Sequence, residues 1–169
     1  RESLGTTRLG GILRTIRNLM VTALLLQLIG GVLLAIKFQN TFDWGWPKAI
    51  WHGLFLAVSG FNNAGFTTIP DSDSLSVFQQ DLFTLGVMAV LIMLGGLSFA
   101  VMAELVRVKR FSRFSLDTKI IVAASVVLWV FGAVIVFTLE YDNNSTLGTM
   151  SFGQKIVHSV LESITARAA

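Results

Sequence analysis

Ala49–Pro70 reads AIWHGLFLAVSGFNNAGFTTIP. Its first half, Ala49–Ser59, is apolar and about eleven residues long. At ~1.5 Å per residue that is roughly 16 Å of helix, half of a ~30 Å hydrocarbon core. The second half, Gly60–Thr68, is rich in Gly, Asn and Thr, uncharged and aperiodic. Apolar runs long enough to cross a bilayer lie on both sides. A half-length helix that runs into a glycine-containing loop between two spans reads as a re-entrant pore loop. Irregular backbone is tolerated at membrane depth only where protein buries it or where it lines a cavity. A plain Asn/Gly hairpin is the alternative, and the lengths of the flanking runs weigh against it.

The rest of the chain fits that reading. It is 53% hydrophobic and 14% charged, with mean hydropathy +0.70, which is membrane composition. There is no cysteine, so neither a disulfide framework nor a thiolate metal site is available. Leu19–Ile36 is eighteen residues without a charge, interrupted by Gly30-Gly31 and closed by Lys37. The glycine pair suits close packing against a neighbouring helix. Trp44, Trp46 and Trp51 suit an aromatic belt, and Pro47 suits the first turn of the short helix. Leu82–Ala103 gives twenty-two uncharged residues and Ile120–Leu139 another twenty, so three transmembrane helices are predicted. Within the second, Gly95-Gly96 reads as a packing site or, less simply, as a hinge. Phe152–Ile164 is a second short apolar helix.

Charge sets the orientation. Arg1, Arg8, Arg14 and Arg17 precede the first span against a single Glu2, and Leu9, Ile12, Leu13 and Ile16 fall between them at helical spacing. Arg107, Lys109, Arg110, Arg113 and Lys119 lie between the second and third spans. Asp71, Asp73 and Asp81 follow the first short helix, and Glu140–Ser151 is acidic and Asn-rich. The positive-inside rule places residues 1–18 and 104–119 in the cytoplasm, so the pore loop enters and returns on the outside. The predicted fold is an all-α, multi-pass membrane protein of repeated helix–pore loop–helix units, with two pore helices. LIGGVLLAIKF around Gly30 resembles VFGAVIVFTLE around Gly132 at an offset of 102, and Ala57–Ala64 aligns with Glu162–Ala169 at 105. One complete unit spans 19–103, a cytoplasmic linker 104–119, and half of a second unit 120–169. A chain that starts at Arg1 and stops inside a second pore loop is expected to be a piece of a longer polypeptide.

Gly65 is the principal candidate site residue, because a strand that aims successive carbonyls at one axis adopts dihedrals that a Cβ penalises. The carbonyls of Asn62, Asn63, Ala64 and Gly65 would replace part of a cation's hydration shell. The carboxyl end of the short helix would favour a cation there. His52 stands without a second ligand at i+3 or i+4, so a satisfied structural histidine is expected rather than a metal site. Glu162 is a carboxylate inside a short apolar helix, and such charges face a cavity or a partner; Arg167 and filter amides are candidate partners. Arg167 stands at the repeat position of Asn62, where it would buttress the filter or, aimed at the axis, repel ions. No metal spacing, nucleophile triad or phosphate-binding loop is present, which argues against an enzyme.

Ser59-Gly60-Phe61-Asn62-Asn63-Ala64-Gly65-Phe66 resembles the second-repeat filter loop of the Trk/Ktr/HKT superfamily of cation transporters, in its KtrB/TrkH-type potassium-uptake branch. Ser163–Ala169, SITARAA, is similar to the third-repeat filter, and Leu9-Gly10-Gly11 to the family's lead-in. The resemblance implies a four-repeat pore subunit that conducts K⁺ or Na⁺ in the plasma (inner) membrane, with no other cofactor. It implies Phe66, Glu162 and Arg167 as supports of the filter. It further implies a homodimer gated by a cytosolic nucleotide-binding subunit, with lipid and the remaining repeats as partners and no nucleic acid. Gly60 and Glu162 depart from the family pattern, where Ala and an uncharged residue are expected. Alternatives are the conducting subunit of an ATP-driven potassium pump and a structural membrane subunit without conductance.

Overall fold

Helix α1 runs without a break from Ser3 to Phe42. It therefore joins the basic lead-in to the first span in one rod, and Lys37 lies within it rather than ending it. In this computed structural model, residues 3–69, 78, 81–108, 110–143 and 146–168 are described, the side chains of 3–12 and 99 excepted. Arg1, Glu2, Asp71, Asp73, Lys109 and Ala169 fall outside them, as do the Arg8, Leu9 and Ile12 side chains. Helix α1 carries Lys37 past the expected stop because the ammonium has a partner, the carboxylate of Asp81 at 3.3 Å. A charge near the end of a span is tolerated when it is paired or reaches the interface.

Helix α2 spans Trp46–Phe61, with Pro47 in its first turn as expected. Helix α3 spans Leu82–Gly95 and α4 Phe99–Arg107. A 3-10 turn, Phe111–Arg113, leads to α5, Leu116–Glu140, and α6 closes the order at Phe152–Ala168. All regular structure among the described residues is helical. Two helices, over Leu13–Phe42 and Leu116–Glu140, are long and apolar enough to cross a membrane. The third predicted span is a bent pair rather than a straight rod: α3 and α4 meet at 107°. The break has a local cause. Gly96 caps α3, and the Ser98 hydroxyl accepts the Val101 N–H at 3.4 Å, starting a new helix two residues later.

The helices pack through glycine. A Cβ on Gly53 would stand 2.6 Å from the Ala35 nitrogen and 2.8 Å from the Gly31 carbonyl oxygen, so α1 and α2 cross at backbone contact. Leu91 covers Gly30 and Leu54 covers Gly31, which fulfils the packing expected of that pair. Further along the chain, Gly132 of α5 abuts the Ser163 side chain of α6. Each long helix thus seats a short one, and a glycine lies at both crossings. The core between them gathers Leu34, Phe38, Leu56, Ala57, Leu85, Met88 and Ile164. The outer faces of α1 and α5 expose Leu24, Leu28, Val127 and Phe131, as a lipid-facing surface does.

Helix α5 is tied back to α4 by one carboxylate. Glu104 accepts the Ser115 N–H at 2.6 Å, the Ser115 hydroxyl at 2.7 Å and the Thr118 hydroxyl. An acidic group at a helix N-terminus is stabilised by the dipole and satisfies orphan donors.

Candidate functional site

Helix α2 ends in a Schellman motif. The Ala64 N–H reaches back to the Ser59 carbonyl at 2.9 Å and the Asn63 N–H to Gly60 at 3.1 Å. Asn63 is left-handed, φ 52°, as the residue past such a cap is. Asn62 donates its side-chain amide to the Val58 carbonyl at 2.9 Å. Gly65 then takes a second left-handed conformation, φ 73°, the kind of dihedral that singled it out in the sequence. A Cβ there would meet nothing within 4 Å, so its constraint is backbone conformation rather than crowding.

Ser59 and Thr68, missed by sequence reasoning, hold the returning strand together with His52. The Ser59 hydroxyl accepts the Phe66 N–H at 2.8 Å. The His52 Nδ1 and the Thr68 hydroxyl share a hydrogen bond of 2.8 Å, and Trp44 lies 4.8 Å from the His52 ring. His52 is therefore the satisfied structural histidine expected of it. Among the described residues no group of three His, Cys, Asp or Glu is placed to hold a metal.

The loop faces a cavity of about 610 Å³ that it shares with α6. Asn63, Gly65, Phe66 and Thr67 form one wall, and His158, Glu162, Thr165 and Ala166 of α6 another. Leu85, Met88 and Ile92 of α3 close its back. Phe66 is 70% exposed on this side. Glu162 is the one carboxylate among the lining residues, and the residue that aligns with it, Ala57, is fully buried in the core. Thr165–Ala168 continues α6. Arg167 is not part of the lining: its Nη2 donates to the Ser125 hydroxyl of α5 at 2.9 Å, and its guanidinium lies 5.8 Å from the centre of the Trp129 ring. Of the seven predicted site residues, Asn63, Gly65, Phe66 and Glu162 line the cavity, and Asn62, Ala64 and Arg167 do not.

Comparison with known proteins agrees with this architecture. The TrkH family, described as "Cation transport protein", matches residues 1–169. The Ktr system potassium uptake protein B of Bacillus subtilis is 31% identical over the whole chain and 37% of its own length. The potassium/sodium uptake protein NtpJ of Enterococcus hirae is 31% identical, with 36% of its length covered. The Ktr system potassium uptake protein B of Vibrio alginolyticus is 32% identical over 171 aligned positions, 37% of that protein. The chain spans just over a third of these curated relatives, which are named for transport and not for catalysis. Its long apolar helices, half-length helices and matching family together make it a multi-pass membrane protein of the TrkH family of cation transport proteins.

Proposed function

We propose that the full protein moves K⁺, or K⁺ and Na⁺, across the plasma (inner) membrane, and that residues 62–65 supply one strand of a four-repeat selectivity filter. The observation that carries this is Gly65: a left-handed glycine, open on its Cβ side, past the carboxyl end of a half-length helix and lining a cavity between that loop and α6. The backbone carbonyls of Asn62, Asn63, Ala64 and Gly65 act as cation ligands, since a ring of carbonyls replaces the hydration shell of the ion. The negative end of the α2 dipole adds to the attraction. Phe66 and Arg167 support the strand from its flanks, and Glu162 stands in the cavity wall, where a carboxylate raises the local cation concentration.

Residues 19–103 act as one complete unit, 104–119 as the inner linker, and 120–169 as the first half of the next. Residues 1–18 and 104–119 face the cytoplasm, consistent with their basic charge. The chain works with the remaining repeats, as a homodimer with a cytosolic nucleotide-binding regulatory subunit. The relatives named for potassium and potassium/sodium uptake support the transport reading.

The test is Rb⁺ or K⁺ uptake by the full-length protein with Na⁺ competition, at matched protein level. In Gly65→Ala the left-handed dihedral costs roughly 1–2 kcal/mol. A 1.4 kcal/mol shift in relative ion binding is about tenfold in the equilibrium ratio. Uptake or selectivity falls while expression and insertion hold; unchanged rate and competition would remove this loop from the ion path.

A further inference from the structure

The carboxyl ends of α2 and α3 meet beside the loop. Gly95, the last residue of α3, abuts the Phe61 carbonyl at the end of α2 so tightly that any Cβ would overlap it. One residue on, a Cβ on Gly96 would lie 3.7 Å from Nη1 of Arg167, in the last turn of α6. Each of these two ends carries the negative end of a helix dipole. The Arg167 guanidinium stands beside them.

The seat for this cation is on α5. Ser125 is 1% exposed in the middle of a long apolar helix, and its hydroxyl accepts from Arg167 Nη2 at 2.9 Å. Trp129, one turn on, offers its ring at 5.8 Å. The Nε of Arg167 is buried without a partner, so Ser125 holds a fork that the rest of the pocket satisfies only in part. Ionisable groups at membrane depth must be paired or face water. A guanidinium only two residues from the cavity-lining Thr165 is close to the proposed ion path. Released into the cavity, it would oppose cation entry through Coulomb repulsion that low-dielectric walls strengthen.

We infer that Ser125 and Trp129 form a tether that parks the Arg167 charge behind the pore wall, where it offsets the adjoining ends of α2 and α3 instead of blocking cations. Arg167 and Ser125 are positioning residues. The inference rests on the cation-pathway reading above.

The experiment is an epistasis test in the full-length protein, by Rb⁺ uptake in vesicles at matched protein level. Loss of a hydrogen bond to a charged group corresponds to about tenfold or more in an equilibrium. Ser125→Ala is expected to lower uptake by about that factor, mainly in maximal rate. Ser125→Thr, which keeps the hydroxyl, preserves uptake. In the Ser125→Ala background, Arg167→Gln restores some of the loss, because the stray charge is gone. Thermal unfolding of each variant separates this from simple destabilisation, which Arg167→Gln would deepen rather than relieve. Wild-type uptake in Ser125→Ala, or independent and additive losses in the double variant, would overturn the tether. If Gly65→Ala also leaves uptake and competition unchanged, the pathway reading fails; if Gly65→Ala acts and Ser125→Ala does not, only the tether fails.

Discussion

The Ser59 hydroxyl accepts the backbone N–H of Phe66 across seven residues, at 2.8 Å, so the last turn of α2 holds the strand that returns from it. Between the two lie Asn63 and Gly65, both left-handed. The Ser59 side chain thus ties the loop back onto the helix it leaves.

Ser59 is 6% exposed, and removing its hydroxyl takes the acceptor from the Phe66 N–H. Ser59→Ala is expected to cost about 1–3 kcal/mol locally. The measurement is Na⁺ competition against Rb⁺ uptake, where loss of discrimination at near-normal expression is the expected result. Ser59→Thr, which retains the acceptor, keeps selectivity closer to that of the parent.

Gly53 tests packing rather than pathway. A methyl group there would press on the backbone of Ala35 and Gly31, neither of which can rotate away. Gly53→Ala is expected to lower stability by about 1–3 kcal/mol. Size-exclusion profile and thermal aggregation in detergent report it. Gly86→Ala is the control, because a Cβ at that position meets nothing within 4 Å; it should behave as wild type.

Gly95 makes a sharper demand, since its α-carbon faces the Phe61 carbonyl without room for a side chain. Gly95→Ala must push α3 off the end of α2, and the loop moves with it. The expected outcome is a combined loss of assembly and uptake, in contrast to Gly65→Ala, which spares assembly. Matched assembly in both variants would contradict the contact.

Orientation can be read by cysteine labelling, because the chain has no native cysteine. Ser112→Cys, on the exposed 3-10 turn, is expected to react only from the cytoplasm, and Asp142→Cys, beyond the end of α5, only from outside. Labelling of both from one face would mean that α5 does not cross the membrane and would sink the three-span arrangement.

The sequence made much of this legible because its signals are local. Pro47 marks a helix start, Gly30-Gly31 a close approach, and Gly65 a left-handed turn; each acts within a few residues. The break after Gly95 is also written locally, as a capping glycine followed by a capping serine at 98. A hydropathy window averages that signal away, since the residues on both sides are equally apolar. Lys37 misleads for the opposite reason: a charge reads as a terminus until its partner is known, and Asp81 lies forty-four residues away. The Arg167–Ser125 contact spans forty-two residues and joins two helices. Nothing in either segment alone announces it, because a lone serine in an apolar helix more often bonds its own backbone.

The Glu104 carboxylate bears on how such a chain can be divided. Its oxygens hold Ser115 and Thr118, so the first turn of α5 is finished by a residue of α4, on the far side of the basic linker. The sequence suggests a modular seam in that linker, but the chemistry sets the joint elsewhere. A chimaera spliced between 104 and 115 would separate the carboxylate from the donors it serves, unless the incoming segment brings its own acid. Splicing beyond Thr118 leaves the clasp intact. As a unit of inheritance or engineering, residues 104–118 therefore travel together.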